Sequence, residues 1–165
     1  MSKQHYRTLS EMPRTALLDL NSFQDHIREE LGSIYRLPTI AFEHGAACPA
    51  NRAGACIDHA HLHLVPTSAQ ITLNEFGSNH EKIDSIEQLG DTPEGEAYLY
   101  YDNGKGACRI MLDRLLPNQF LRRRLAEALQ CGEIWDWREH PLHDQVTIFV
   151  ERWVSHQQRS VVTAQ

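Results

Sequence analysis

Three histidines alternate with small or apolar residues in the segment His59-Ala60-His61-Leu62-His63-Leu64. Because successive side chains of a β-strand point to opposite faces, this alternation predicts a strand with His59, His61 and His63 on one face. At a rise of about 3.3 Å per residue, neighbouring imidazoles would lie roughly 6–7 Å apart along the strand. An apolar core has no use for such a row, so the segment indicates a site for a metal ion or an anionic substrate.

A row of imidazoles suits chemistry at phosphorus. A neutral imidazole is a good nucleophile near pH 7, because its pKa of about 6.5 leaves it mostly unprotonated. Neighbouring imidazoles can hold the phosphate oxygens, where negative charge gathers. We expect His61 to be the nucleophile, since a histidine on either side of it can grip the group that it attacks. Reaction through a nucleotidyl-histidine intermediate would be covalent catalysis.

The composition narrows the class of protein. The 165 residues fit one domain, with 41% hydrophobic and 23% charged residues. The formal charge of −6 argues against a binder of nucleic acid or anionic membranes. No apolar run approaches the ~20 residues of a membrane span, Met1 is followed by polar residues, and the four cysteines form no CxxC pair. We therefore expect a cytoplasmic protein with no membrane or nucleic-acid partner.

The hydrophobic pattern predicts helices packed beside antiparallel strands, which is an α+β domain. The first helix is expected over Ser10–Leu31, with Gly32 ending it, and a strand over Thr39–Glu43. Asn103-Gly104 predicts a hairpin turn. The remaining elements are hairpin strands at Ala97–Tyr101 and Ala107–Asp113, a helix from Pro117 to about Gln130, and a last helix with Val146, Phe149, Val150, Trp153 and Val154 on one face.

The histidine segment resembles a known family signature. His59-x-His61-x-His63 followed by Leu64-Val65 is similar to the His-φ-His-φ-His-φ-φ motif of the histidine triad (HIT) superfamily of nucleotide hydrolases and transferases. Further segments resemble a bacterial branch of these proteins: Lys3-Gln4-His5, Phe42-Glu43-His44-Gly45, Gln119-x-x-Arg122-Arg123 and Trp135-Asp136-Trp137-Arg138. The resemblance implies one HIT-like domain over residues 1–165, with an antiparallel sheet, flanking helices and a C-terminal helical extension over about 114–165. It also implies that the family's first strands are missing.

The resemblance implies a reaction and its main residues. His61 would attack the α-phosphorus of a nucleotide, while His59 and His63 would position it and contact the phosphate or the leaving group. Dinucleoside polyphosphates and nucleoside phosphoramidates, commonly with adenine, are the typical substrates of the family. Its members need no tightly bound metal, although some substrates are presented as magnesium complexes, and a homodimer is common among them.

Six further residues are candidate contacts to substrate or phosphate. His44, beside Gly45 at a strand end, is a candidate to assist the leaving group, or is a surface histidine. Backbone and side chain can approach a phosphate in the small-residue loop before the histidines, and helix N-termini favour anions. Those two settings contain Asn51, Arg52, Cys56, Gln119 and Arg122. The run Arg122-Arg123-Arg124 is equally typical of a solvated face, and Trp135 and Trp137 are more typical of a core.

Two departures from the family leave alternatives open. Ala55 stands where the family often has a phosphate-contacting glutamine, and Cys56 stands at a Ser/Thr position, where its thiol is a weaker donor. Gln119 is a hypothetical replacement for the missing amide. One alternative is a metal-dependent hydrolase with a three-histidine site and an open position for water. The other is a nucleotide-binding module without catalysis.

Overall fold

One open antiparallel sheet forms the centre of the chain. The computed structural model describes residues 4–45, 59–71, 80–112, 116–117 and 119–163. In these ranges the strands are β1 Thr39–Gly45, β2 His63–Pro66, β3 His80–Ile83, β4 Tyr98–Asp102 and β5 Ala107–Met111, in the spatial order β2-β1-β4-β5-β3. The helices are α1 Arg14–Tyr35, α2 Phe120–Ala128 and α3 His143–Thr163, with 3-10 turns at Leu9–Glu11, Ile86–Asp91 and Gly132–Trp135. The predicted α+β class is confirmed.

The two faces of the sheet carry separate apolar clusters. Along β1 the side chains alternate, so that Ile40 and Phe42 pack on one face with Leu121 of α2. Ala41 lies on the opposite face and packs with Leu17 of α1. The sheet therefore separates α2 from α1, and residue parity decides which helix a strand residue meets.

The predicted boundaries of the first helix are wrong. Ser10 lies in the preceding 3-10 turn, and α1 begins after Pro13, whose backbone occupies the N-cap position. At the other end the helix passes through Gly32 and stops at Arg36, which takes a left-handed φ of 56° and donates its N–H to the carbonyl of Gly32. The chain thus ends the helix with an arginine where a glycine is usual.

The histidine segment forms less strand than its alternation predicts. Only His63–Pro66 pairs with β1, where His63 lies opposite Phe42. Upstream, the N–H of Ala60 bonds instead to the carbonyl of Tyr6 at 2.7 Å, so His59 and His61 lie in the lead-in to the strand. The predicted parity still holds, because Ala60, Leu62 and Leu64 all pack in the α1-side cluster.

A close contact between neighbouring strands makes Gly45 a sensitive position. Tyr98 lies opposite Gly45 on the neighbouring strand, and a Cβ on Gly45 would overlap the Tyr98 ring. Tyr98 is fully buried, so its ring has no room to retreat. We predict that Gly45→Ala lowers the free energy of unfolding by about 2–3 kcal/mol. Urea denaturation would measure the loss. Gly106→Ala is the control, because a Cβ at Gly106 would meet no atom within 4 Å. Gly95→Ala is unsuitable as a control, because Gly95 has a φ of 80°.

The C-terminal helix forms as predicted but packs little of its apolar side. Val146, Phe149, Val150 and Val154 are all at least two-fifths exposed. Phe149 stacks on Tyr35 of α1, with ring centroids 6.3 Å apart. None of the helices within the described residues is long and apolar enough to cross a membrane.

Candidate active site

His61 and His63 form the centre of the site. Their ring centroids are 4.8 Å apart and their planes are inclined by 74°, so the rings lie closer together than an extended strand predicts. The difference arises because His61 precedes the paired part of β2 and its ring can turn toward His63. Two imidazoles at this distance can contact the same phosphate group.

One hydrogen bond defines which nitrogen of His61 can react. Nδ1 of His61 lies 2.8 Å from the carbonyl oxygen of His59. A carbonyl can only accept, so neutral His61 must carry its proton on Nδ1 and present a lone pair on Nε2. The backbone of the histidine segment thus fixes the ring of His61 and its tautomer.

Strand β1 brings His44 to the same site, as one of the two sequence interpretations proposed. Its ring lies 6.5 Å from that of His63, and it is buried. Nε2 of His44 accepts a hydrogen bond from the backbone N–H of Leu121 at 3.1 Å, at the start of α2. His44 is therefore a neutral, fixed group that links the sheet to α2, and the surface alternative is wrong.

Phe42 is a site residue that the sequence reasoning missed. Its ring stacks on His63, with centroids 4.5 Å apart and planes inclined by 21°. The contact covers one face of the His63 ring and so fixes the plane of that ring. Strand parity could have found it, because Phe42 and His44 are two residues apart and share a face of β1.

Burial keeps His44 and His63, called the inner histidines below, uncharged near neutral pH. Burial, followed by the charges of His63, His61 and Arg122, lowers the pKa of His44 to about 3. Burial, followed by His61 and Arg122, lowers the pKa of His63 to about 3 as well. Both rings are therefore N–H donors and not cations near neutral pH. Among the described residues, Arg122 also acts on both rings with a permanent positive charge, and it lines one cavity together with His63.

The other arginines of the run have different surroundings. Arg123 lies over the ring of Trp135, with its guanidinium carbon 3.8 Å from the ring centroid. Arg124 pairs with Glu127 at 2.8 Å on the helix surface. Trp135 is only half-buried, so the expectation that it belongs to the core is wrong.

The remaining candidates are Gln119, at the start of α2, and three residues outside the described ranges. Gln119 is buried with a left-handed φ of 59°, and its amide nitrogen donates to Asp136 at 3.3 Å. That bond ties α2 to the segment after it and gives no support to Gln119 as a phosphate ligand. Asn51, Arg52 and Cys56 fall outside the described residues, so their predicted roles stay predictions.

The outer histidine contacts the N-terminal segment. His59 meets the ring of His5 edge-on, with centroids 5.1 Å apart, and Nε2 of His59 is buried with no hydrogen-bond partner among the described residues. The Ala60–Tyr6 backbone bond lies beside this pair. The N-terminal segment therefore forms one wall of the site.

A buried carboxyl group on the other face of β1 holds that segment in place. Glu43 accepts hydrogen bonds from the backbone N–H of Leu9 and from the hydroxyl of Tyr98, both at 2.7 Å. Burial raises the pKa of Glu43 to about 8. Glu43 thus anchors the N-terminal segment at Leu9, while its neighbour His44 lies on the opposite face of β1, near His63.

The metal interpretation finds no ligand set in the described part of the chain. No three His, Cys, Asp or Glu side chains converge there in a way that could hold an ion. A zinc site with protein ligands needs at least three such groups. The histidines instead make backbone and ring contacts with one another.

The chain has no match among known proteins by three kinds of comparison. No family model, no curated protein and no solved structure matches it.

Proposed function

We propose that the chain is a nucleotide hydrolase or nucleotidyl transferase of the histidine triad superfamily, acting on dinucleoside polyphosphates or nucleoside phosphoramidates. The observation that carries the proposal is the 2.8 Å hydrogen bond from Nδ1 of His61 to the carbonyl of His59. It gives the middle histidine of the motif a fixed ring and a free Nε2 lone pair. A surface histidine without a chemical role needs neither.

In the first step, Nε2 of His61 forms a bond to the α-phosphorus while the bond from phosphorus to the leaving group breaks. The leaving group takes the bonding electron pair, and the substituted ring becomes cationic. The carbonyl of His59 stabilises that ring by accepting from Nδ1–H. His63 and Arg122 hold the non-bridging oxygens, where negative charge develops.

In the second step, a water molecule attacks the phosphorus and the Nε2–phosphorus bond breaks. The electron pair returns to Nε2, the water gives up a proton to solvent, and the nucleoside monophosphate leaves with His61 neutral again. Acceptance of the nucleotidyl group by an alcohol or amine in place of water would make the same chain a transferase.

The neutral inner histidines favour polyphosphate leaving groups. With their pKa values lowered to about 3, His44 and His63 are not cationic acids near neutral pH. A polyphosphate departs as a stable anion and needs no proton, whereas an amine departing from a phosphoramidate does. Magnesium would enter only as a complex with the nucleotide substrate, and the steps above do not require it.

The experiment that tests the function is AMP release from a panel of diadenosine polyphosphates and adenosine phosphoramidate, with and without a chelator in magnesium-free buffer. We expect release from the polyphosphates that continues in the chelator. Release that stops with the chelator and returns only with zinc would favour a metal-dependent hydrolase. Binding of nucleotide without any AMP would identify a binding module instead of an enzyme.

Arg122 should contribute strongly to binding of the phosphate chain. Because the inner histidines are neutral, Arg122→Ala removes the permanent positive charge that acts on them. We predict that kcat/KM for diadenosine tetraphosphate falls by about 10- to 100-fold, as expected for one charge-assisted contact. Arg124→Ala is the matched control, since Arg124 pairs with Glu127 on the outer surface of the same helix. An equal loss in both variants would contradict this role.

A further inference from the structure

A cavity adjoins the histidines on the face of the sheet that α2 covers. Its volume is about 480 Å³, which is within the range of small-molecule sites. His63 and Arg122 supply the imidazole and the charge in its lining. The apolar part of the lining includes Val65, Leu125, Leu129, Ile134 and Trp135.

We propose that this cavity binds the nucleoside of the leaving group, so that the chain prefers substrates whose leaving group ends in a planar base over substrates that release inorganic polyphosphate. This inference rests on the proposed function and specifies the substrate of the same site. It assigns a binding role to the segment after α2, which the histidine motif does not include.

The two halves of the substrate extend from the reacting phosphorus in different directions, and two openings adjoin the histidines. In phosphoryl transfer the attacking and leaving atoms lie roughly in line on opposite sides of phosphorus. The cavity is lined by His63 and not by the nucleophile His61. A second groove, of about 390 Å³ between α1 and the histidine segment, is lined by His61. The nucleoside that stays on His61 therefore has its own groove, and the cavity beside His63 remains for the departing half.

The chemistry of the lining matches a phosphorylated base. Arg122 can pair with phosphate, while the apolar walls can bury the base and Trp135 can stack on it. Arg123 covers the Trp135 ring at 3.8 Å and so restrains it. Leu129 and Ile134 are 46% and 42% exposed, although both line the cavity. Apolar side chains left open at the edge of a cavity indicate a surface that a ligand covers.

The test compares two substrates that release the same AMP. Diadenosine tetraphosphate has a nucleoside on its leaving group, whereas adenosine 5′-tetraphosphate loses inorganic triphosphate. Ile134→Asn changes the cavity without adding charge, and Ile148→Asn is its control, because Ile148 is 40% exposed on α3 and does not line the cavity. Thermal unfolding of both variants verifies that they fold. Binding of ADP to all three proteins by calorimetry provides a readout that needs no turnover.

We expect Ile134→Asn to lower kcat/KM for diadenosine tetraphosphate by about tenfold, with a change below about twofold for adenosine tetraphosphate and for Ile148→Asn. Equal losses on the two substrates, or no loss on either, would overturn the inference while leaving the proposed function in place. If no protein releases AMP, the proposed function fails. In that case, ADP binding that is weaker in Ile134→Asn but unchanged in Ile148→Asn supports the cavity as a nucleotide site. Equal ADP binding by all three proteins overturns the cavity as a nucleotide site.

Discussion

Replacement of His61 by alanine is expected to lower kcat/KM for AMP release by about 10⁴-fold or more. The variant loses the only atom that the mechanism places in bonding distance of phosphorus, so no covalent intermediate can form. The hydrogen bond from His61 to the carbonyl of His59 is local, and the ring is half-exposed, so the fold should survive the change. Steady-state assays with diadenosine tetraphosphate would measure the loss.

His26→Ala is the matched control for this prediction. His26 is an exposed histidine on α1, and its removal should leave kcat/KM unchanged. Thermal unfolding of both variants separates a chemical effect from a loss of structure. Retention of more than about a tenth of the activity in a folded His61→Ala protein would contradict the assignment of His61 as the nucleophile.

The unfolding free energy is expected to peak near pH 6.5, because groups on the two faces of the sheet, His44 and His63 on one and Glu43 on the other, titrate in opposite directions. Folding lowers the pKa values of His44 and His63 from 6.5 to about 3. Between these values the unfolded chain binds protons that the folded chain does not, so acidification destabilises the fold. Folding raises the pKa of Glu43 from 4.5 to about 8. In that window the folded chain holds a proton that the unfolded chain has released, so stability falls as the pH rises.

The two contributions oppose each other between pH 4.5 and 6.5, where the two histidines outweigh the one carboxyl group. We expect a net loss of about 4 kcal/mol between pH 6.5 and pH 4, and about 2 kcal/mol between pH 6.5 and pH 8. Chemical denaturation at a series of pH values would measure both arms.

Two variants separate the loss of stability below pH 6.5 from the loss above it. Glu43→Gln keeps hydrogen-bonding groups for Leu9 and Tyr98 but cannot ionise, so the loss above pH 6.5 should disappear. His44→Asn keeps an acceptor for the N–H of Leu121 and removes one of the two histidine contributions, so the net loss between pH 6.5 and pH 4 should fall from about 4 to about 1 kcal/mol. An unchanged alkaline arm in Glu43→Gln would show that another group causes it.

Strand alternation and turn chemistry could be predicted from the sequence because they are local. Asn103-Gly104 lies between the hairpin strands β4 and β5, as its preference for positive φ indicates. The parity of the histidine segment also holds, since its apolar residues pack toward α1. The end of α1 could not be predicted, because Arg36 adopts a left-handed conformation that arginine rarely favours in isolation.

The parts of the site that depend on distant segments could not be predicted in detail. The histidine lead-in leaves the sheet because the N–H of Ala60 bonds to Tyr6, more than fifty residues earlier in the chain. The choice between a surface and a site position for His44 required the position of α2. The partner of Gln119 depends in the same way on a segment elsewhere in the chain, since its amide nitrogen donates to Asp136 in the loop after α2.

The most direct test of the central claim is capture of the covalent intermediate. Diadenosine tetraphosphate labelled at the α-phosphorus would be mixed with the protein, quenched rapidly in alkaline denaturant, digested, and mapped by mass spectrometry. The mechanism predicts adenylate on the peptide that contains His61, with loss of the label in His61→Ala and not in His26→Ala. AMP release at full rate without any labelled peptide, or with label on another residue, would contradict attack by His61.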